Sequence, residues 1–313
     1  MTTLNSEINY SNLKDKSVII TGGASGLGEA TTIKFASHGA YVTIADAAVD
    51  AGRALAKRLT DQGQHVSFVE CDTTDWTASV NAFKHAVQFT PGGKPRLDVA
   101  ILFAGTDGAR KGLVDEVLQA GKEVSLDVDP VAPVMKAVQV NLVGEYMSAA
   151  LALHYFRLPG AAGGKKSLVL VSSMTGYIDI PYNTDYSVSK FAIRGLFRSI
   201  RGQAHRVNAR VNNLLPGYVL TPLTKKVHQI DDPSQVSKAT GYVLPWAPID
   251  YVVEACARCA TDDSLDGRAL GVFPSGVVDI EEEVETGYGG GKILEVLERD
   301  GFFDIPSLFP KKS

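Results

Sequence analysis

Cysteine, long apolar runs and excess basic charge are all scarce in this chain, and each shortage excludes a class of protein. Three cysteines among 313 residues are too few to cross-link a chain of this size, so we expect no disulfide and a cytoplasmic location. No run approaches the roughly 18 apolar residues of a membrane span, and residues 1–16 lack the apolar core of a signal peptide. We therefore expect no membrane partner. The net charge of −4 argues against nucleic acid partners.

Hydrophobic residues make up 45% of the chain, and they fall in short β-branched runs that alternate with longer amphipathic segments. This alternation predicts an α/β fold: one domain with a doubly wound, Rossmann-type, seven-stranded parallel sheet flanked by helices. The predicted strands are residues 17–20, 41–45, 66–69, 97–103, 167–171, 207–214 and 269–273. The predicted helices include residues 28–38, 50–62, 76–89, 138–156 and 187–206.

Two segments interrupt this alternation within the single domain, whose core we place at about residues 13–273. Residues 106–137 carry charged positions where a short connection is expected, which indicates an inserted loop that is partly helical. The C-terminal tail, residues 274–313, shows no strand pattern, so we expect it to cover a pocket or to fray.

A glycine-rich turn follows the first predicted strand and leads into a helix. Gly22 suits a tight turn, Gly26 lets the main chain approach a pyrophosphate, and Gly28 allows close packing of helix on strand. The helix N-terminus would then face the phosphates. An ordinary strand-to-helix turn can show the same pattern, so its context has to decide. The candidate cofactor-binding residues of this turn are Thr21, Gly22, Ser25, Gly26, Leu27 and Gly28.

Two aspartates follow the next two strands. Asp46 ends the second strand, at the separation from the glycines where an acid accepts hydrogen bonds from the ribose hydroxyls of the adenosine. Its charge would repel a 2′-phosphate, and no cation adjoins it, so we predict NAD as the cofactor. Asp72 follows the third strand and could contact the adenine amino group. Helix N-capping is the alternative role for both aspartates.

A serine, a tyrosine and a lysine are predicted to meet at the same sheet edge as the glycine turn. Ser172 and Ser173 end a strand, and Tyr186 lies four residues before Lys190 on one face of a helix. A nearby ammonium stabilises a phenolate, so Tyr186 can act as general base or acid during hydride transfer. A serine hydroxyl can donate to the reacting oxygen as charge develops there. The pattern alone leaves both serines possible.

The spacing Tyr-x-x-x-Lys is common, and its position in the fold has to select among its occurrences. Tyr10 with Lys14 precedes the predicted sheet, and Tyr288 with Lys292 lies in the glycine-rich tail. Only Tyr186 follows a strand-end serine and leads into a long amphipathic helix. A tyrosine and a lysine on an ordinary helix face remain the structural alternative.

Together these residues resemble those of the short-chain dehydrogenase/reductase family, in its single-domain branch, over about residues 13–273. The resemblance selects Ser173 over Ser172 and assigns the adenine contact to Asp72. It also implies a helix asparagine, matched by Asn141, that holds a proton-relay water against the lysine. The catalytic residues implied are Asn141, Ser173, Tyr186 and Lys190.

The resemblance extends to the loops around the nicotinamide. Pro216, Gly217, Val219 and Thr221 match the family's turn beside that ring, and Ala104 with Gly105 allow close approach to the cofactor. One departure stands out, because Leu102 and Phe103 occupy positions where the family usually has two asparagines. The backbone hydrogen bonding that the second asparagine supplies must then come from elsewhere. Family members commonly pair through two long helices, here residues 138–156 and 187–206, which implies a homodimer or homotetramer.

Other motifs are given structural interpretations. Cys256 and Cys259 have the spacing of a metal or redox pair, but no second pair completes four ligands, so we expect two cysteines on a helix and no metal. Asp127 and Asp129 are interpreted as solvated loop charges.

The function predicted is that of an NAD-dependent oxidoreductase interconverting a secondary alcohol and a ketone. An NAD-binding protein that senses the nucleotide without turnover is the alternative, and a sugar-nucleotide epimerase would need a larger substrate domain after the sheet. The segments expected to form the pocket walls are rich in apolar and aromatic residues, which favours a lipophilic or polycyclic small-molecule substrate. The aromatic residues are Tyr177, Tyr182, Tyr218, Tyr242 and Trp246.

Overall fold

The structure is a computed structural model. It describes residues 2–3, 7–108, 110–119, 126–127, 129–158, 164–178, 183–238, 241, 243–280 and 282. Tyr182, Tyr242, Tyr288 and Lys292, which the sequence analysis singled out, lie outside these ranges. No helix in these ranges is long and apolar enough to cross a membrane.

Among the described residues, nine strands form one sheet and two further short strands form a second. The large sheet contains the seven predicted parallel strands, which confirms the predicted fold class. The strands are β1 (Thr2–Thr3), β2 (Ser17–Thr21), β3 (Tyr41–Asp46), β4 (Val66–Glu70), β5 (Val99–Leu102), β6 (Lys166–Val171), β7 (Ala209–Pro216), β8 (Tyr218–Val219), β9 (Trp246–Ala247), β10 (Ala269–Phe273) and β11 (Gly276–Asp279).

The order of strands across the large sheet is β1-β11-β10-β7-β6-β5-β2-β3-β4. From β2 the chain moves outward through β3 to β4, and it then returns to place β5 on the other side of β2. The strand order therefore reverses between β2 and β5. Ligands of open parallel sheets bind at such a reversal, beyond the carboxyl ends of the strands.

Helices cover both faces of the sheet, as the alternating pattern predicts. Apolar side chains of α1, α2 and α8 form one core with the sheet, and those of α3, α5 and α6 form the other. The helices are α1 (Gly26–Ser37), α2 (Val49–Asp61), α3 (Trp76–Gln88), α4 (Leu113–Gln119), α5 (Glu145–Tyr155), α6 (Thr184–Ile200), α7 (Pro222–His228) and α8 (Ile249–Thr261). Helix α4 lies in the segment 106–137.

The beginning of the tail differs from the expectation, because it adds a strand. Gly276 has a φ of 123°, which glycine adopts readily, and it lets the chain turn back after Phe273. Residues Gly276–Asp279 then pair antiparallel with β10. With Val277 and Val278 as its only apolar residues, this short segment gave no clear periodic signal.

Two predicted helices also have different bounds. The helix predicted at 138–156 starts as a π-helix, Val138–Gly144, and continues as α5. The helix predicted at 187–206 starts three residues earlier, at Thr184, and ends at Ile200, followed by a 3-10 turn at Ala204–Val207. Asn208, with φ of 53°, then directs the chain into β7.

Candidate active site

The glycine turn lies between the carboxyl ends of β2 and β5, where the strand order reverses. A Cβ at Gly22 would lie 2.7 Å from the backbone nitrogen of Ala104, and φ of Gly22 is 67°. A Cβ at Gly28 would lie 2.1 Å from the carbonyl oxygen of Gly22. These contacts leave room only for glycine. The first turn of α1 is thereby brought against β2, with the amide groups of its N-terminus at the sheet edge where a pyrophosphate would bind.

The other residues of the turn lie at the same edge. Thr21 ends β2 and its hydroxyl accepts a hydrogen bond from Ala104 N at 3.4 Å. Ser25 is the N-cap of α1 and makes no side-chain cap bond, and Leu27 lies in the first turn of the helix. Gly26 faces Thr221, because a Cβ built at Gly26 would lie 3.4 Å from the Cβ of Thr221.

Asp46, at the end of β3, is hydrogen-bonded to the glycine turn. Its Oδ2 accepts from Ala24 N and its Oδ1 from Ala48 N, both at 2.9 Å. Ala48 is the N-cap of α2, so Asp46 does not have the helix N-cap role that the sequence left open. The half-buried carboxylate of Asp46 therefore lies against the glycine turn.

Asp72 does not cap α3 either. Asp75 is the N-cap, and its Oδ1 accepts from Thr77 N at 2.7 Å and from Ala78 N at 3.1 Å. The exposed Asp72 bonds the backbone and hydroxyl of Thr74 through its Oδ1. Asp72 and Asp75 both follow β4, and only their hydrogen bonds show which of the two caps α3.

The loop after β5 carries Ala104 and Gly105 and is held by Asn141. The Asn141 side chain is fully buried; its Oδ1 accepts from Thr106 N at 2.7 Å and its Nδ2 donates to Thr106 O at 2.9 Å. The same Nδ2 donates to the Ser189 hydroxyl of α6 at 3.2 Å. Asn141 therefore joins the cofactor-side loop to the helix that carries Tyr186 and Lys190. Its π-helical backbone departs from regular α-helical bonding, as is frequent at functional sites.

Ser172 and Ser173 have different surroundings. The Ser172 hydroxyl donates to Lys190 O at 2.9 Å, and its backbone nitrogen donates to Asn213 Oδ1. The Ser173 hydroxyl accepts from Thr175 N at 3.2 Å, which leaves its proton available to a further acceptor. The structure thus gives Ser172 a bond that ties β6 to α6, and it places Ser173 at the turn that follows.

Tyr186 and Lys190 lie on one face of α6, as predicted. The Lys190 nitrogen is 5.8 Å from the centre of the Tyr186 ring. Lys190 is buried and its Nζ donates to Val171 O at 2.9 Å, while Tyr186 is half-buried. Val171 is the last residue of β6, two positions before Ser173. Lys190 therefore links α6, which carries Tyr186, to the end of β6, which precedes Ser173.

Two acids at this site were missed by the sequence analysis. Glu145 is buried and its Oε1 accepts from Val171 N at 2.7 Å. Burial raises the pKa of its carboxyl to about 8, against the opposing effects of Lys190 and of the Val171 bond. Its spacing of four from Asn141 puts both residues on one helix face, and that was the available signal.

Asp185, directly before Tyr186, is the second missed acid. Its carboxylate is bonded to one end of the inserted segment and lies close to the other end. Its Oδ2 accepts from Ala137 N at 3.0 Å, and a Cβ at Gly108 would lie 2.5 Å from its Oδ1. Leu113 N also donates to the Thr184 hydroxyl at 3.0 Å.

The segment after β7 carries the four residues assigned to the nicotinamide turn. Pro216 ends β7, a Cβ at Gly217 would lie 3.1 Å from Val272 O, and Val219 is buried. Thr221 is the N-cap of α7, where its hydroxyl accepts from Thr224 N at 3.2 Å. The Thr221 side chain therefore has a structural bond that the sequence analysis did not foresee.

The three described aromatic residues from the predicted pocket walls fall into two groups. Tyr218 and Trp246 pack edge to face with His228, at ring-centre distances of 5.7 Å and 5.6 Å from the histidine. Tyr177 instead donates to the Glu282 carboxylate and accepts from Asn213 Nδ2, and burial raises the pKa of its phenol. The Tyr177 hydroxyl is thus engaged by protein groups.

The remaining motifs have the structural character expected. Tyr10 lies in a 3-10 helix, stacked on His38 at 4.7 Å, outside the sheet edge that holds Tyr186. Cys256 and Cys259 are buried free thiols on α8, and burial raises the pKa of both. Asp127 and Asp129 are exposed.

This arrangement defines a class of α/β oxidoreductase that uses a nicotinamide dinucleotide. The family model described as short chain dehydrogenase matches residues 16–232, more than half of the chain. The chain belongs to the short-chain dehydrogenase family, and the resemblance read from its motifs is confirmed. Members of this family use NAD or NADP, and this chain is an oxidoreductase acting on an alcohol.

Individual relatives extend the likeness over nearly the whole chain. The chain is 41% identical over 307 residues to a 5′-hydroxyaverantin dehydrogenase of Dothistroma septosporum, covering 96% of this chain and 97% of the relative. It is 37% identical to a 5′-hydroxyaverantin dehydrogenase of Emericella nidulans, covering 97% and 100%. Among solved structures, a 3-hydroxyacyl-CoA dehydrogenase type-2 from Mycobacterium avium has a TM-score of 0.65 at 26% identity, covering 84% of this chain and 96% of that one.

Proposed function

We propose that this protein is an NAD-dependent dehydrogenase that oxidises a secondary alcohol of a lipophilic, polyketide-like molecule to a ketone. Tyr186 acts as the general base, Lys190 stabilises its phenolate, and Ser173 donates to the substrate oxygen. The observation that carries the proposal is the bond from Lys190 to the end of β6, which brings the Tyr186 helix to the strand that leads to Ser173. The nearly full-length relatives supply 5′-hydroxyaverantin as the first substrate to test.

The residues present fit NAD. The glycine turn has no space for side chains at Gly22 or Gly28, which is the cradle a pyrophosphate needs. Asp46 places a carboxylate at this turn, where it favours ribose hydroxyls and disfavours a 2′-phosphate. Some relatives are named as NADP-dependent, so the coenzyme is part of the proposal and has to be measured. When bound, NAD supplies the nicotinamide carbon that accepts the hydride.

Each proposed role uses a group the protein holds in place. Lys190 is buried, and its ammonium is fixed by Val171 O on one side while facing the Tyr186 ring on the other. The phenolate oxygen of Tyr186 takes the proton of the substrate hydroxyl, and Ser173 orients that hydroxyl. Asn141 keeps the loop of Ala104 and Gly105 against α6. This contact fixes the position of the loop on the cofactor side of the site relative to Tyr186 and Lys190.

Turnover by the purified chain tests this proposal. We expect reduction of NAD with 5′-hydroxyaverantin or other lipophilic secondary alcohols, and little turnover of sugars. Tyr186→Phe should lower kcat by roughly 10²-fold or more, the usual contribution of a proton-transfer group, while NAD still binds. Tyr10→Phe is the matched control, since Tyr10 begins the same Tyr-x-x-x-Lys spacing outside the site.

Other outcomes of this assay would contradict specific parts of the proposed function. NAD binding without turnover across a broad panel would favour the nucleotide-sensing alternative. Full activity of Tyr186→Phe would remove Tyr186 from the mechanism, and a preference for sugars would overturn the lipophilic substrate class. We also propose a cytoplasmic location. The protein is proposed to form a homodimer or homotetramer through the helices that contain residues 138–156 and 184–200. Sedimentation measures the assembly state.

A further inference from the structure

A buried carboxyl and the buried ammonium of Lys190 bond the two main-chain groups of one residue. Glu145 Oε1 accepts from Val171 N at 2.7 Å, and Lys190 Nζ donates to Val171 O at 2.9 Å. In a strand the amide and carbonyl of one residue point to the same side. The carboxyl and the ammonium therefore lie on the same side of the end of β6.

The end of β5 explains why polar side chains are needed there. Ile101 of β5 pairs with Val169 of β6, and β5 ends at Leu102. Val171 lies two residues beyond that pair, so no residue of β5 bonds its main chain. Buried main-chain groups require partners. Glu145 and Lys190 provide these partners, in a chain where Phe103 replaces the asparagine expected after β5.

The surroundings of the second oxygen of Glu145 favour the protonated form of this carboxyl. Among the described residues, Glu145 Oε2 is buried with no hydrogen-bond partner, and so is the hydroxyl of Ser148 one turn further along α5. Burying a carboxylate with one oxygen unpaired costs far more free energy than burying the neutral acid in the same place. Burial accordingly raises the pKa to about 8, and the Lys190 charge opposes the rise.

Lys190 is the charged side chain placed to respond to Glu145. The charge of Lys190, on α6, acts on the Glu145 carboxyl. Tyr186 lies one turn before Lys190 on the same helix. The π-helix and β5 have no ionisable side chain. The other ionisable side chains on elements packed around α5 are Lys166 of β6, bonded to Asp98 at the amino end of the strand, Lys84 and His85 of α3, and Asp185, Arg194 and Arg198 of α6.

We propose that Glu145 is a positioning residue that holds Lys190 at the end of β6 and, by binding or releasing a proton, sets the positive charge that Lys190 presents to Tyr186. This inference rests on the proposed function, because it concerns the same tyrosine and lysine. With Glu145 protonated, Lys190 acts with its full charge on the phenolate and the nucleotide. When Glu145 loses its proton to solvent, the carboxylate offsets that charge and attracts the ammonium away from the site.

The pH dependence of kcat/KM for alcohol oxidation tests the proposal with Glu145→Gln. The amide is isosteric with the protonated acid and still accepts from Val171 N, but it cannot ionise. The ratio of Glu145→Gln to wild type should be lowest near pH 6.5 and should rise on the order of tenfold by about pH 9.5, the effect expected of one charge at an effective dielectric near 20. A constant ratio would overturn the proposal.

Two controls separate tuning from structural support. Glu145→Leu removes the bond to Val171, so it should lower the unfolding temperature and should impair activity at every pH. If Glu145→Gln also lost activity equally at every pH, Glu145 would have a purely structural role. Asp98→Asn removes a buried carboxylate that pairs with Lys166 at 3.2 Å and Arg96 at 2.9 Å on the opposite edge of the sheet. It should leave the shape of the pH profile unchanged.

A readout without turnover covers the remaining outcomes. Infrared spectra of the wild-type protein should show a protonated buried carboxyl that ionises near pH 8, and Lys190→Met should move this ionisation to higher pH because the opposing charge is gone. An ionisation that Lys190→Met does not move would contradict the proposal even if Glu145→Gln fails to fold. Absence of wild-type turnover would contradict the proposed function alone, since this measurement still reports on the pair.

Discussion

At the scale of single residues, Glu145 has a consequence for stability that is independent of catalysis. Its pKa is raised by burial from 4.5 to about 8, so between these values the folded protein holds a proton that the unfolded chain releases. Stability from this group is therefore complete below about pH 4.5, declines as pH rises, and levels off above about pH 8. The expected slope is roughly 1.4 kcal/mol per pH unit at most.

Urea unfolding of wild type and Glu145→Gln across this pH range measures the effect. The difference in the free energy of unfolding between the two proteins should follow the slope, because the amide does not titrate. A difference that does not change with pH would show that the carboxyl is already ionised in the folded state at neutral pH.

The coenzyme preference is predicted to depend on Asp46. Replacing it by asparagine retains an acceptor for Ala24 N and removes the charge that repels a 2′-phosphate. The ratio of kcat/KM for NAD over NADP should fall by roughly tenfold or more. Asp50→Asn, an exposed acid in the first turn of α2, should leave the ratio unchanged. An equal ratio in wild type and Asp46→Asn would exclude Asp46 as the selecting residue.

Gly28 is predicted to tolerate no side chain. A Cβ there would lie 2.1 Å from Gly22 O, so Gly28→Ala must displace the glycine turn from β2. We expect loss of NAD affinity measured by calorimetry, with a cost of about 1–3 kcal/mol in stability from overpacking. Gly195→Ala is the matched control, because this exposed glycine of α6 has open space and alanine is the better helix former by about 1 kcal/mol. Unchanged NAD affinity in Gly28→Ala would contradict the close packing described here.

At the scale of elements, the inserted segment is attached to the start of α6 through Asp185. Gly108 near one end of the insertion and Ala137 at the other both meet this carboxylate. Gly108→Ala should push the loop away from Asp185, since φ is 71° and the new Cβ would lie 2.5 Å from Oδ1. We expect kcat/KM for the alcohol to fall on the order of tenfold, the effect of losing about 1.4 kcal/mol of transition-state binding.

Gly63→Ala serves as the control for this prediction. Gly63 also has a positive φ, 80°, but open space surrounds it, and it lies between α2 and β4. Both variants should lose similar stability from backbone strain, and only Gly108→Ala should lose activity. Equal activity of the two variants would show that docking of the inserted segment does not shape the site.

At the scale of the whole molecule, Glu282 ties the C-terminal part of the described chain to α6 and to Tyr177. Its fully buried carboxylate bonds Arg194 at 2.9 Å, lies 3.8 Å from Arg198, and accepts from Tyr177. Arg194 also stacks on the Tyr177 ring at 4.1 Å. Glu282 is thereby joined to Arg194, 88 positions earlier, and to Tyr177, 105 positions earlier. The sequence interpretation of the tail as a cover or frayed end missed this anchor.

Glu282→Ala is expected to destabilise the protein by about 3–5 kcal/mol, because it leaves the largely buried Arg194 side chain without its carboxylate. Chemical unfolding measures this change. Asp61→Asn removes the exposed ion pair with Lys57 and should cost about 0.5 kcal/mol or less. A loss in Glu282→Ala no larger than in the control would mean that the cluster does not hold the tail.

The sheet was predictable because each parallel strand carries its own signal. β-branched runs such as those of β2 and β3 are buried on both faces, and a glycine turn or an amphipathic helix follows each of them. Strand β11 and the early end of α6 escaped prediction because they depend on pairing with β10 and on the chain reversal at Asn208. Those contacts are distant in sequence or depend on one dihedral angle.

By itself the sequence determined the fold class, the glycine cradle and the tyrosine and lysine of one helix face, since these follow from local periodicity and spacing. Only the tertiary structure decided which serine bonds α6, which aspartate caps α3, and that Glu145 and Lys190 share the main chain of Val171. The physical reason is that hydrogen-bond partners and desolvation depend on groups brought together from separate elements. Spacing along one chain segment carries no information about them.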